Sequence, residues 1–120
     1  MKENKIVQKK SYNFAVGMVK LCRVIVEEKR EYILSKQLLR SGTSIGANVE
    51  EAIGGQSRRD FVAKLTIAYK KARETHYWLR LLQDAGILEP NVAQKFGQDC
   101  EELLRILTSI LRTLKLKQNS

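Results

Sequence analysis

The apolar residues of this 120-residue chain recur every three or four positions along four stretches, a spacing typical of amphipathic helices. We predict helices over residues 5–27, 32–53, 58–83 and 91–117, joined by connections of a few residues. Each helix has an apolar stripe that must be buried, and short connections return each helix antiparallel to the one before it. The pattern therefore predicts an all-α fold, an antiparallel up-down four-helix bundle forming a single domain over residues 1–120.

Glycine, serine and proline mark the predicted helix ends. Gly54–Gly55 should end the second helix, and Ser57 should cap the third, with Asp60 three residues later as in a capping box. Gly86 should close the third helix, and Pro90 stands where a first-turn proline belongs in the fourth. These signals agree with the boundaries that the apolar spacing predicts.

Two helices carry more small or apolar surface than one bundle core needs. Gly42 and Gly46 lie one turn apart on the second helix, where bare backbone lets a neighbour approach closely. Ile67, Trp78 and Leu81 form an apolar strip beside the inward stripe of the third helix. We therefore predict that the chain forms a homo-oligomer and that these five residues belong to its subunit interface.

The net charge of +9, with a pI near 9.8, suggests an anionic partner. The excess lies on the first and third helical segments, whose basic residues fall opposite their apolar stripes, although a charged helix face is usually only a solvated one. If these faces bind RNA or DNA, the contacts are to phosphates and are sensitive to salt. The candidate nucleic-acid-binding residues are Lys9, Lys20, Arg23, Arg58, Arg59, Lys70, Arg73, Tyr77 and Arg80.

No residue set in the sequence indicates catalysis, a cofactor or a metal. His76 is the only histidine, so a cluster of histidine ligands is excluded, and we expect it to pack at the edge of the core. The adjacent pair Glu50–Glu51 points in two directions on a helix, and we expect one of them to pair with a lysine or arginine. No glycine-rich phosphate-binding motif occurs. We therefore expect no catalytic, cofactor-binding or metal-binding residues, and a protein that is not an enzyme.

The two cysteines bear on the compartment. Cys22 and Cys100 each fall within an apolar helical pattern, which favours buried free thiols; a disulfide between them is the alternative. Residues 1–10 are basic and polar, unlike a signal peptide, and no apolar run reaches the length of a membrane span. We expect a cytoplasmic protein with no membrane partner.

The segment from Gln37 to Leu82 contains an unusual helical string, Ser-x-Thr-Ser-Ile-x-Ala-Asn, at positions 41–48. Through this string and the residues around it, the segment resembles a family of small bacterial four-helix-bundle proteins encoded in intervening sequences of 23S rRNA genes, the S23 family. It is also similar to the accessory variability proteins of diversity-generating retroelements. Two positions depart from the family pattern, with Gly46 in place of a common proline and Ala52 in place of a common glycine. The resemblance is carried by Leu39, Arg40, Ser41, Thr43, Ser44, Ile45, Ala47, Asn48, Glu51, Ser57, Asp60, Phe61, Ala68 and Glu74.

The resemblance implies a homopentameric barrel of basic four-helix bundles without known catalysis. Among the retroelement relatives it also implies nucleic-acid binding and a reverse transcriptase as partner. Together with the charge, it favours a non-enzymatic, homo-oligomeric bundle that binds RNA or DNA. The alternative is a structural or adaptor module that docks a protein partner and has no nucleic-acid role.

Overall fold

The computed structural model describes residues 2–118, apart from the side chains at positions 116 and 118. Over this range the chain forms helices α1 (Lys2–Lys29), α2 (Ile33–Ile53), α3 (Arg58–Asp84) and α4 (Pro90–Gln118). Each begins and ends within three residues of its predicted boundary. The all-α four-helix bundle is therefore confirmed.

The helices form an elongated bundle of 51 × 21 × 21 Å in which each helix packs against two neighbours. α1 contacts α2 and α4, and α3 contacts α2 and α4. Within the described residues, the Cα atoms of α1 and α3 stay more than 8 Å apart, and so do those of α2 and α4. The helices therefore occupy the corners of a square, and the α1–α2 side lies opposite the α3–α4 side.

Local hydrogen bonds explain where the helices begin and end. Ser57 caps α3 by accepting a hydrogen bond from the backbone N–H of Asp60 at 3.0 Å, as predicted. Gly86 has a φ of +77°, and Ile87 N–H donates to the Leu82 carbonyl at 2.9 Å, which is the glycine-dependent stop expected after α3.

The turn between α1 and α2 depends on residues that the sequence patterns do not single out. Arg30 adopts a φ of +54°, a conformation usually left to glycine, and its N–H donates to the Val26 carbonyl. One carboxylate oxygen of Glu31 accepts from the backbone N–H groups of Leu34 and Ser35 at 2.8 and 2.9 Å. Glu31 therefore satisfies two of the free N–H groups at the start of α2.

The predicted apolar stripes meet in one core along the bundle axis. Its largest fully buried side chains include Met18, Ile25, Leu38, Ile45, Leu65, Leu79, Leu82, Leu103 and Leu107. Two hydroxyls are also buried between α2 and α3, where Thr75 donates to the Ser41 hydroxyl at 3.0 Å. Burial of apolar area on this scale is the main source of stability in such a bundle.

Gly42 and Gly46 are buried within the chain, which corrects their assignment to a subunit interface. A Cβ on Gly42 would lie 2.5 Å from the Cγ of Met18, and one on Gly46 would lie 3.1 Å from the carbonyl oxygen of Ser11. Both contacts are with α1 of the same chain. The glycines do permit a close approach, as predicted, but the neighbour is α1 rather than a second subunit.

Candidate nucleic-acid interface

The predicted basic residues lie on separate surfaces of the bundle. Lys9, Lys20 and Arg23 are exposed on α1, whereas Lys70, Arg73 and Arg80 are exposed on α3. Because α1 and α3 occupy diagonal corners, their outward faces point in opposite directions. One chain therefore cannot present the basic residues of α1 and those of α3 to the same short stretch of nucleic acid.

Among the basic residues of α1, Lys20 lies near carboxylates. Lys20 lines a groove between α1 and α4 that also contains Lys95, Asp99 and Glu102. Glu102 pairs with Lys10 across this groove, with 3.1 Å between Nζ and Oε1. The mixture of acids and bases makes this side a weak attractor for a polyanion.

Arg23 lies on a different side of α1, at the rim of an apolar groove. Val19, Cys22, Arg23, Val26, Glu27, Tyr32, Ser35, Lys36 and Leu39 line this groove between α1 and α2, and we call it the apolar groove. The rim of this groove carries both signs of charge, because Glu27 lines it together with Arg23 and Lys36. Its chemistry suits an apolar partner better than a phosphate backbone.

Arg58 and Arg59 lie at the start of α3, away from the middle of the bundle. The Nη2 group of Arg58 donates to the carbonyl oxygen of Leu114 at 3.3 Å, near the end of α4. A cation at a helix C-terminus interacts favourably with the unpaired carbonyls there. Arg58 therefore has a structural contact of its own, and Arg59 is exposed beside it.

A groove of about 480 Å³ between α3 and α4 brings three arginines together. Tyr69, Arg73, Leu104, Arg105, Thr108, Ser109, Arg112 and Thr113 line it, and we call it the arginine groove. No carboxylate belongs to this described lining, and none of its three arginines has an ion pair with a described residue. The guanidinium groups are exposed and can donate to an incoming anion.

The arginine groove continues along the same two helices into a second recess. Arg73, His76, Tyr77, Arg80, Glu101 and Leu104 line that recess. His76 Nε2 lies 3.1 Å from Glu101 Oε1, so the one acid in this lining contacts the histidine rather than an arginine. Lys70 is exposed on α3 but is not part of either lining. Arg73, Tyr77 and Arg80 are therefore the predicted residues that the structure brings together.

Tyr69, Arg105 and Arg112 are groove residues that sequence reasoning missed. A signal for the two arginines was present, because they lie seven residues apart on α4 and so share a face of that helix. Tyr69 lies four residues before Arg73 and occupies the same face of α3. These spacings indicate a shared groove only once α3 and α4 are known to be neighbours.

The predicted interface strip on α3 is partly buried within the chain. Ile67 is 38% exposed. Trp78 packs against the core, and its indole N–H donates to Glu74 Oε2 at 3.0 Å. Leu81 is half-buried. The strip thus retains some exposed apolar surface, although Trp78 also packs and hydrogen-bonds within its own chain.

Both cysteines are buried free thiols, as predicted. Burial raises the pKa of Cys22 to about 11 and, as the largest cause, that of Cys100 to about 12. The Cys100 thiol donates to the Ala72 carbonyl at 3.2 Å. Such thiols are protonated at neutral pH and are poor nucleophiles.

Within residues 2–118, no group of three or more His, Cys, Asp or Glu side chains could hold a metal ion. No helix in the described range is long and apolar enough to cross a membrane.

The fold and the groove define a small, basic four-helix-bundle protein with an arginine-lined groove on one side. Residues 3–109 match the family described as 23S rRNA-intervening sequence protein, and the chain belongs to this family. The chain is also similar to a crystal structure from Bacteroides thetaiotaomicron VPI-5482, a protein of unknown function from the S23 ribosomal protein family. That similarity has a TM-score of 0.90 and 44% identity, and covers 92% of this chain and 98% of the other. No curated protein matches the chain.

Proposed function

We propose that this protein is a non-enzymatic, homo-oligomeric bundle that binds RNA or DNA through phosphate contacts in the arginine groove. The observation that carries the proposal is the set of exposed arginines without a carboxylate among them. Arginine suits this role because its planar guanidinium can donate two parallel hydrogen bonds to one phosphate. The buried thiols are in keeping with a cytoplasmic location.

The charge pattern elsewhere on the chain is that of an ordinary solvated surface. Lys10 pairs with Glu102, Lys64 with Glu51, and Lys71 with Glu74, at 3.1, 2.9 and 3.7 Å. Basic residues on those faces thus have acidic neighbours. The arginine groove differs because no carboxylate lines it, and this difference favours an external anion as the partner of its arginines.

Binding should weaken steeply with salt. Arg73, Arg80, Arg105 and Arg112 can neutralise four phosphates, and for a single strand each phosphate contributes about −0.7 to the slope of log affinity against log salt. A fourfold rise, from about 50 to 200 mM, should then weaken binding by about 50-fold. Fluorescence anisotropy with a labelled oligonucleotide measures this slope. Affinity that is absent at the low salt concentration, or independent of salt, would contradict the proposed function.

We also propose that the protein assembles into a homopentamer, as the resemblance to the S23 family implies. A ring of five needs two different surfaces on each chain, because a cyclic interface above two subunits is heterologous. The apolar groove offers one such surface, and the strip of Ile67, Trp78 and Leu81 offers the other. Beside the apolar groove, Ile33 is 75% exposed, an unusual position for a large aliphatic side chain. The arginine groove lies on the side of the bundle opposite the apolar groove.

A single charge in the apolar groove should therefore disrupt assembly. Val19→Glu places a carboxylate in the proposed apolar contact, and we expect the particle to fall from about five chains to one chain of 13.8 kDa with its helical content retained. Light scattering after size-exclusion chromatography measures the mass. Val24→Glu is the matched control, because Val24 is similarly exposed but faces the α1–α4 groove. A wild-type protein that is already monomeric would overturn the proposed assembly.

A further inference from the structure

We infer that the arginine groove takes a single strand of nucleic acid, with unpaired bases stacked on Tyr69 and Tyr77. This inference rests on the proposed function and adds the form of the ligand. Its starting observation is an alternation on one face of α3, where Tyr69, Arg73, Tyr77 and Arg80 follow one another along the groove. Their spacings of four, four and three residues keep all of them within about 80° of the helix circumference.

The tyrosines and arginines alternate at a regular distance. Tyr69 and Tyr77 are eight residues apart, about 12 Å along the helix axis, and Arg73 lies midway between them. The Cα atom of each tyrosine is therefore about 6 Å along the helix axis from that of Arg73. On the facing helix, Arg105 and Arg112 continue the row of cations. A flexible strand can meet this arrangement by placing its phosphates on the arginines and its bases on the rings.

Both rings are placed where a base can reach them. Tyr77 is 49% exposed, and an edge-to-face contact with Trp78 holds it, with 5.0 Å between ring centroids and 69° between ring planes. Tyr69 is half-buried at the floor of the groove, where it packs against the core. These contacts restrict the motion of the rings, which lowers the entropy lost when a base stacks on them.

A duplex cannot use the same surface fully. Its base faces are occupied by stacking within the helix, so it can offer phosphates to the arginines but no free base face to the tyrosines. A single strand offers phosphates and base faces together, and stacking on aromatic side chains tolerates any base sequence. The alternation of rings and cations therefore favours single strands over duplexes.

The test compares probes and matched tyrosine variants. The probes are a twelve-nucleotide oligouridylate, a twelve-nucleotide oligothymidylate and a mixed-sequence duplex of twelve base pairs, all at about 50 mM salt. We expect the wild-type protein to bind the single strands at least about tenfold more tightly than the duplex. Tyr69→Leu with Tyr77→Leu should weaken single-strand binding by about 10- to 100-fold and leave the affinity for the duplex unchanged, whereas Tyr69→Phe with Tyr77→Phe should retain tight binding. The relative affinities of the oligouridylate and the oligothymidylate show whether RNA or DNA is the preferred ligand.

The outcomes separate the two proposals. If no probe binds, the proposed function is wrong and this inference falls with it. If the duplex binds as tightly as the single strands, or the leucine variants bind single strands like the wild type, only the single-strand inference is overturned. Tyr77→Leu alone protects the test against misfolding, because this exposed ring contributes little to the core, and its expected loss is about tenfold. A protein partner on this face would appear as indifference to every probe.

Discussion

Reversing the three charges of the arginine groove should weaken nucleic-acid binding by about 100-fold. In the variant Arg73→Glu/Arg105→Glu/Arg112→Glu, three phosphate contacts are replaced by repulsion. Even at about 1 kcal/mol for each exposed contact, the loss amounts to a factor of about 100 in affinity. The salt slope should also fall, from about −3 towards −1, because fewer phosphates are neutralised. Anisotropy titrations at several salt concentrations measure both quantities.

A matched triple on α1 controls for net charge. Lys5→Glu/Lys9→Glu/Lys20→Glu also reverses the charge of three exposed basic side chains. Each reversal lowers the net charge by two, so the net charge of both variants is +3 instead of +9. We expect this control to weaken binding by only a few-fold, through the long-range field. Equal losses in the two triples would mean that the total charge attracts the ligand and that the groove has no special part.

Gly42→Ala should destabilise the protein at the crossing of α1 and α2. Gly42→Ala adds a methyl group 2.5 Å from the Cγ of Met18, which is fully buried and cannot move aside without disturbing the core. Overpacking of this kind costs about 1–3 kcal/mol. We expect a fall of that size in the free energy of unfolding, measured by urea denaturation at a fixed protein concentration because assembly also affects stability.

Gly97→Ala is the matched control for this substitution. A Cβ on Gly97 meets nothing within 4 Å, and alanine favours a helix by about 0.8–1.0 kcal/mol over glycine. The control should therefore gain stability while Gly42→Ala loses it. If both variants gained, α1 and α2 would not approach as closely as the structure shows.

The fold was predictable because its information is local. The inward positions of each helix repeat with the helical period, so residues such as Met18, Leu38, Leu79 and Leu107 are recognisable as core before any tertiary contact is known. Short connections then leave few arrangements open. The same local reasoning could not foresee that Arg30 takes a left-handed conformation, because no glycine marks that turn.

The role of the small residues was only half predictable. Bare backbone at Gly42 and Gly46 indicates a close neighbour, but helical spacing does not say which neighbour it is. The structure identifies it as α1, through Met18 and Ser11. Sequence reasoning assigned the contact to a second chain, and that assignment was wrong because the close crossing lies inside the bundle.

The candidate site was the least predictable feature because it depends on two helices at once. Arg73, Tyr77 and Arg80 were recognised on α3, but their partners Arg105 and Arg112 belong to a helix that sequence reasoning treated only as a source of core residues. Charge counting gave weight to α1 as well. Because α3 packs against α4, the arginines of these two helices share a groove. The basic residues of α1 lie elsewhere on the bundle.

Photocrosslinking can show whether nucleic acid lies along the groove between α3 and α4. An oligonucleotide carrying 4-thiouridine is irradiated with the wild-type protein at low salt, and the modified peptides are mapped by mass spectrometry. The account predicts adducts within residues 69–80 of α3 and 104–113 of α4. Adducts confined to α1, or scattered over every basic face alike, would contradict it.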